Sequence, residues 1–418
     1  MVPKTFTKKM TKIHLDDPEA LCTDGSDAAY YYEEGVKDRD RNSTTWLVYL
    51  EGGGWCWDEF SCSVRCKPNK NFPWCSSKLW TSHQDIPAAL FLVESNPVLK
   101  HAHKIFLKYC SSDAFMGNGE AHGLQFRGAK IVEAVFKDLV KKHKLGHPLG
   151  GSNEHLVVFG GESAGARGAM VHLDSVLDYI GKVPSKVKVV GFLDSPLWID
   201  LPPETNKFVG FRKSCRFVYA MANTTSVLGS DCLAAHPPPN EFKCIMAQYR
   251  MPWIKTPYFL IASQFDSFQV SNNIGRMDPQ DADMEHIFRF RDRTLQLARD
   301  LAMPSTLGGK QARQISIVQP ACYSHARTGL VWGLSKDAVD GVKVLTAFEE
   351  FLEHVKTDDK WSKIIKDKCT SFSCGKGCPD QEYEAMLMWT GGTCRGASAR
   401  LAALASTLIF AVRFAHVP

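Results

Sequence analysis

Leu156-Val157-Val158-Phe159-Gly160-Gly161-Glu162-Ser163-Ala164-Gly165-Ala166-Arg167-Gly168-Ala169 is the stretch whose reading decides the fold. Four apolar residues read as a buried strand, and the small residues after Ser163 read as a helix start packed close to a sheet. Between them, Gly161-x-Ser163-x-Gly165 matches a nucleophile elbow, in which a serine sits on a strained strand-to-helix turn with its hydroxyl above the sheet. Side chains at the glycine positions would collide with the neighbouring strand and the following helix. Glycine frequency alone yields such a pattern about 0.15 times in a chain of this length. The weight therefore falls on the strand before it and the helix after it, against the alternative of a glycine-rich turn carrying an idle serine.

Outward from this stretch, short apolar runs alternate with helical periodicity. Residues 46–50 (WLVYL), 104–109 (KIFLKY), 186–193 (KVKVVGFL), 258–262 (YFLIA) and 315–318 (ISIV) read as strands buried on both faces. Ile131, Val132, Val135, Phe136, Leu139 and Val140 recur at helical spacing with lysines between them, so the spacing predicts an amphipathic crossover helix. A second helix is predicted over 286–302. The fold class is α/β: an α/β-hydrolase-like, mainly parallel sheet with helices on both faces and disulfide-rich loop insertions. Residues 20–395 are expected to form a single domain of this class.

A serine hydroxyl is a poor nucleophile near neutral pH and needs a histidine base, itself oriented by an acid. On this fold the three follow in the order Ser, acid, His, each on a loop after a later strand. Asp266, in Ser263-Gln264-Phe265-Asp266, follows 258–262 and is preferred as the acid over Asp194, which comes after the first strand beyond the nucleophile. Beyond Asp266 the histidines are His286, His325, His354 and His416. His286 and His354 lie in helical patterns and His416 in the tail, so His325, in a loop after 315–318, is the base. Backbone N–H groups for an oxyanion are expected from Gly53 and Gly54, in the triple glycine after strand 46–50, and from Ala164.

The 418 residues carry a net charge of +5, with 44% hydrophobic and 23% charged residues, which excludes wholesale disorder and a polytopic membrane protein. That charge is too balanced for a nucleic-acid binder. Fourteen cysteines point to an oxidising compartment and several disulfides. Cys56, Cys62, Cys66 and Cys75, and Cys369, Cys374 and Cys378, are two clusters with the alternative of zinc, but their spacing is irregular and no histidine lies inside either. Asn42-Ser43-Thr44 and Asn223-Thr224-Thr225 are glycosylation sequons. The first twenty residues hold no apolar core of a signal peptide. Residues 396–418 form an apolar tail that reads as a GPI-type signal, and hence a C-terminal membrane anchor, or as a terminal helix.

The sequence resembles the pectin acetylesterases and their animal relative Notum over about residues 25–380. The likeness rests on Trp46-Leu47-Val48-Tyr49-Leu50-Glu51-Gly52-Gly53-Gly54-Trp55-Cys56, Tyr109-Cys110-Ser111-Ser112-Asp113, Gly161-Glu162-Ser163-Ala164-Gly165, Phe265-Asp266-Ser267-Phe268-Gln269 and Cys322-Tyr323-Ser324-His325. The resemblance implies an extracellular or cell-wall, disulfide-bonded serine carboxylesterase without metal or organic cofactor, its triad at Ser163, Asp266 and His325. It implies an acylated polysaccharide as substrate, or a lipid-acylated protein as in Notum, with Trp55, Trp198 and Phe268 at the substrate pocket. Notum has a tryptophan where this chain has Gly54, and both relatives have an aromatic pair near Cys244 where Ile245 and Met246 stand here. An acetyl group on pectin or a related cell-wall polysaccharide is therefore preferred over a long lipid acyl group. A non-catalytic glycan- or lipid-binding relative is a third alternative, usually marked by a missing triad member.

Overall fold

The computed structural model describes residues 9–36, 43–67, 74–86, 88–91, 96–149, 151–303, 314–329, 338–357, 360–376 and 378. Its strands are β1 (Met10–His14), β2 (Ala29–Glu33), β3 (Thr45–Leu50), β4 (His83–Gln84), β5 (His103–Leu107), β6 (Gly119–Ala121), β7 (Leu124–Phe126), β8 (Glu154–Glu162), β9 (Lys186–Asp194), β10 (Tyr258–Ile261), β11 (Gln314–Gln319), β12 (Ala338–Val339), β13 (Val342–Lys343) and β14 (Trp361–Lys366). Ten of them form one sheet in the order β14-β11-β10-β9-β8-β3-β5-β2-β1-β4, while β6 with β7 and β12 with β13 are small hairpins.

From β14 to β5 the neighbours run parallel, and β2, β1 and β4 add an antiparallel flank. Every residue of β5, β10 and β11 is buried. Because successive side chains point to opposite faces, both faces of the sheet are covered there. The predicted crossover helix spans Gly128–His143 and buries Ile131, Val132, Val135, Phe136 and Leu139. The second predicted helix runs Met284–Ala302. β1, β2 and β14 were not legible as strands: β1 and β14 are largely unburied, so neither carries a continuous apolar run.

Register brings the chemistry to one edge. Leu50, the last residue of β3, pairs with Gly161 of β8, and Gly161 pairs with Leu193 of β9. Ile261 of β10 pairs with Asp194 on one side and Val318 of β11 on the other. The loops bearing the triple glycine, Ser163, Asp266 and His325 therefore all leave the carboxyl ends of the parallel strands β3, β8, β10 and β11, on one edge, where open α/β sheets form their crevices.

Candidate active site

Ser163 has φ 51° and ψ −119°, a conformation outside the regions open to most side chains, at the junction of β8 and helix Ala164–His172. Its N–H donates to the Asp194 carbonyl at 2.9 Å. A Cβ on Gly161 would lie 2.5 Å from the Leu50 carbonyl oxygen, so the turn closes only with glycine there. Gly165 is pressed against the same carbonyl.

His325 Nε2 lies 2.8 Å from Ser163 Oγ, and Nδ1 lies 2.7 Å from Asp266 Oδ2. Asp266 caps helix Ser267–Ile274: its other oxygen accepts the Gln269 N–H at 2.9 Å. Phe268 stacks on the imidazole, with ring centroids 5.2 Å apart. The rival acid, Asp194, is elsewhere engaged. Its Oδ2 accepts from the N–H and hydroxyl of Thr328, and its Oδ1 from Ser195 Oγ. Ser195 Oγ in turn accepts from Ala326 N–H at 3.0 Å. Asp194 thus anchors the chain just past His325 and leaves the ring to Asp266.

The triple-glycine loop is held from two sides. The Tyr109 hydroxyl donates to the Gly54 carbonyl at 2.8 Å, and Tyr109 N–H donates to Glu51 at 2.8 Å. Arg65 gives one N–H to the Gly53 carbonyl at 2.6 Å and another to Ser112 Oγ at 3.0 Å, its guanidinium lying over Trp74. Arg65 ends helix Glu59–Arg65, which the Cys56–Cys62 and Cys66–Cys75 disulfides tie down. The clusters weighed as zinc sites pair instead as these two bridges, Cys369–Cys374 and Cys322–Cys378. The last holds the loop that leads to His325, and Cys22–Cys110 holds the loop of Tyr109. Cys232, His236 and Cys244 bring three donor atoms within 4.8 Å, but the two sulfurs are joined to each other.

Ser163 and His325 open onto a cavity of about 360 Å³ walled by Trp55, Trp57, Trp198, Phe208, Phe211 and Phe268, with Gly53 and Gly54 on its lining. All three aromatic residues singled out from the sequence are therefore brought to it. Trp57, Phe208, Phe211, Arg65 and Glu162 went unread, because they lie outside the recognised motifs or, for Glu162, at a variable position within one. Glu162 lines the cavity, and desolvation together with Asp194 and Glu51 pushes its carboxyl up to about 8 from an ordinary 4.5. The folded protein then keeps a proton that the unfolded chain releases. The associated stability is complete below about pH 4.5 and is lost as pH rises through about 8. Glu162→Gln is expected to make the fall in melting temperature between pH 5 and 8 shallower than in the parent. Equal slopes would refute this.

The sheet, the elbow turn and the crevice at its carboxyl edge define an α/β-hydrolase. The pectinacetylesterase family model matches residues 2–379, and the chain belongs to that family; it is a carboxylic ester hydrolase. It is 28% identical to pectin acetylesterase 11 of Arabidopsis thaliana over 377 residues, covering 86% of this chain and 89% of the relative. It is 25% identical to the palmitoleoyl-protein carboxylesterase notum1 of Xenopus laevis, covering 88% of this chain and 74% of that protein. The Wnt deacylase Notum from Drosophila superposes with a TM-score of 0.76 at 21% identity, over 89% of this chain and all of that chain, a likeness of fold.

Proposed function

We propose that Ser163, His325 and Asp266 are the catalytic triad of an esterase that removes O-acetyl groups from pectin or a related cell-wall polysaccharide. The observation that carries this reading is the unbroken hydrogen-bond chain from Asp266 through His325 to Ser163, opening onto an aromatic cavity. His325 takes the Ser163 proton as the oxygen attacks the ester carbonyl. The N–H groups of Gly53, Gly54 and Ala164 receive the developing oxyanion, and Asp266 keeps Nδ1 protonated. His325 then returns the proton to the leaving sugar hydroxyl, and water, activated by the same base, releases acetate. No metal enters these steps.

The pectin acetylesterases among its relatives support the substrate, and the indole walls offer flat apolar surface to a sugar ring. The same walls favour a second reading, a lipid-acylated protein as in the Notum relatives. A series of 4-nitrophenyl esters from acetyl to palmitoyl, followed by acetylated pectin and xylan, decides between them. The first reading expects kcat/KM to be highest for acetyl and acetate to be released from a polymer; a preference for eight carbons or more would overturn it.

Arg65 serves as a positioning residue for the oxyanion loop. Arg65→Met is expected to lower kcat about 10- to 100-fold with little change in KM, and guanidinium ion is expected to restore part of it. An unchanged kcat would contradict the role.

Six disulfides support a secreted protein, extracellular or in the cell wall. Of the two sequons, Asn223 is exposed at the end of helix Phe211–Ala222, its Nδ2 donating to the Asn118 carbonyl at 3.3 Å, whereas Asn42 lies outside the described residues. We read residues 20–395 as one domain. The tail 396–418 also lies outside the described residues, and among those described no helix is long and apolar enough to cross a membrane.

A further inference from the structure

Arg167 sits one helical turn past the nucleophile, its N–H donating to the Ser163 carbonyl at 3.1 Å. The residue is 1% exposed, and neither Nε nor Nη1 has a hydrogen-bond partner. The guanidinium lies over the face of Trp198 and within 5.9 Å of the Trp55 ring centre. These two indoles meet edge to face, their centroids 4.0 Å apart, and both line the cavity; Phe211, stacked on Trp198, lines it too. Arg167 itself does not line the cavity. It stands behind that wall, within electrostatic reach of the buried Cys215 and of Asp266.

A guanidinium whose Nε and Nη1 are buried without a hydrogen-bond partner is an expensive way to fill space, because desolvating the charge is recovered only in part by its attraction to the indole faces and the longer-range pull of Asp266. A leucine or methionine would pack there without that cost. What the cation adds is resistance. For the cavity to deepen, Trp198 or Trp55 must move off the guanidinium and hydrocarbon must take its place against an unpaired charge. With an apolar residue at 167 the same indoles could shift and open a groove.

We propose that Arg167 determines the acyl-chain limit of this esterase, locking the Trp55–Trp198 wall so that only esters of short acyl groups reach Ser163 productively. The inference rests on the short-acyl reading above and on this wall facing the acyl group.

The test measures kcat/KM for 4-nitrophenyl acetate, butyrate, hexanoate and octanoate, per active site titrated with a fluorophosphonate, in the parent enzyme, Arg167→Met, Arg167→Gln and the charge-retaining Arg167→Lys. The octanoate-to-acetate ratio is expected to rise at least tenfold in Arg167→Met, to rise in the same direction in Arg167→Gln, and to stay near the parent value in Arg167→Lys. Either neutral variant suffices if the other fails to fold. An unchanged ratio in the neutral variants, with the parent preferring acetate, overturns the role of Arg167 alone. A parent enzyme that prefers octanoate overturns the short-acyl reading before any variant is made.

Discussion

Ser163→Ala is expected to lower hydrolysis of 4-nitrophenyl acetate by about 10⁴- to 10⁶-fold and to abolish labelling by a fluorophosphonate, with the melting temperature unchanged within a few degrees. The size of the loss follows from the role proposed. Without Oγ no acyl-enzyme forms, and what survives comes from the oxyanion donors and from binding, which alanine leaves in place. Folding is expected to survive because the backbone of residue 163 is held by its N–H bond to Asp194 and by the close packing of Gly161 and Gly165 on Leu50, none of which involves the hydroxyl. Retained labelling at another serine would sink the assignment.

The second large effect separates the two aspartates. Asp266→Asn is expected to lower kcat about 10⁴-fold with the fold intact. The Gln269 N–H donates to one side-chain oxygen of Asp266, so an asparagine would turn its carbonyl toward that donor and its amide toward His325. A donor facing Nδ1 forces the imidazole to carry its proton on Nε2, where it can no longer accept the proton of Ser163. Asp194→Asn meets different partners, Thr328 and Ser195. It is expected to cost about 1 to 3 kcal/mol of stability and to lower kcat far less, by loosening the chain beyond His325. The reverse order, with Asp194→Asn the more damaging to kcat, would exchange the two assignments.

The central strands were legible because strands buried on both faces leave continuous apolar runs, and the three residues that the structure joins by hydrogen bonds could be ordered because each follows such a run. The antiparallel flank was less so: β1 has only one fully buried residue, Met10, and its place depends on pairing with β2 and β4. The walls of the cavity were legible only where a motif or, for Trp198, the likeness to Notum carried them. Trp55 and Phe268 lie beside recognised residues, but Phe208 and Phe211 come from a long connection after β9 and reach the site through tertiary packing alone. Arg65 depended on more still. Its helix is bracketed by the Cys56–Cys62 and Cys66–Cys75 pairings, and cysteine spacing does not reveal connectivity. Arg167 was in plain view in the elbow sequence, yet nothing there distinguishes a solvated helix arginine from one sealed behind two indoles.

The most direct test of the account is to quench turnover of 4-nitrophenyl acetate in acid and map the acetylated peptide by mass spectrometry. An acetyl group on Ser163, formed and lost at rates that match kcat, is the predicted result. Acetate release with no acyl-enzyme, or an acetyl group carried on a different side chain, would contradict it.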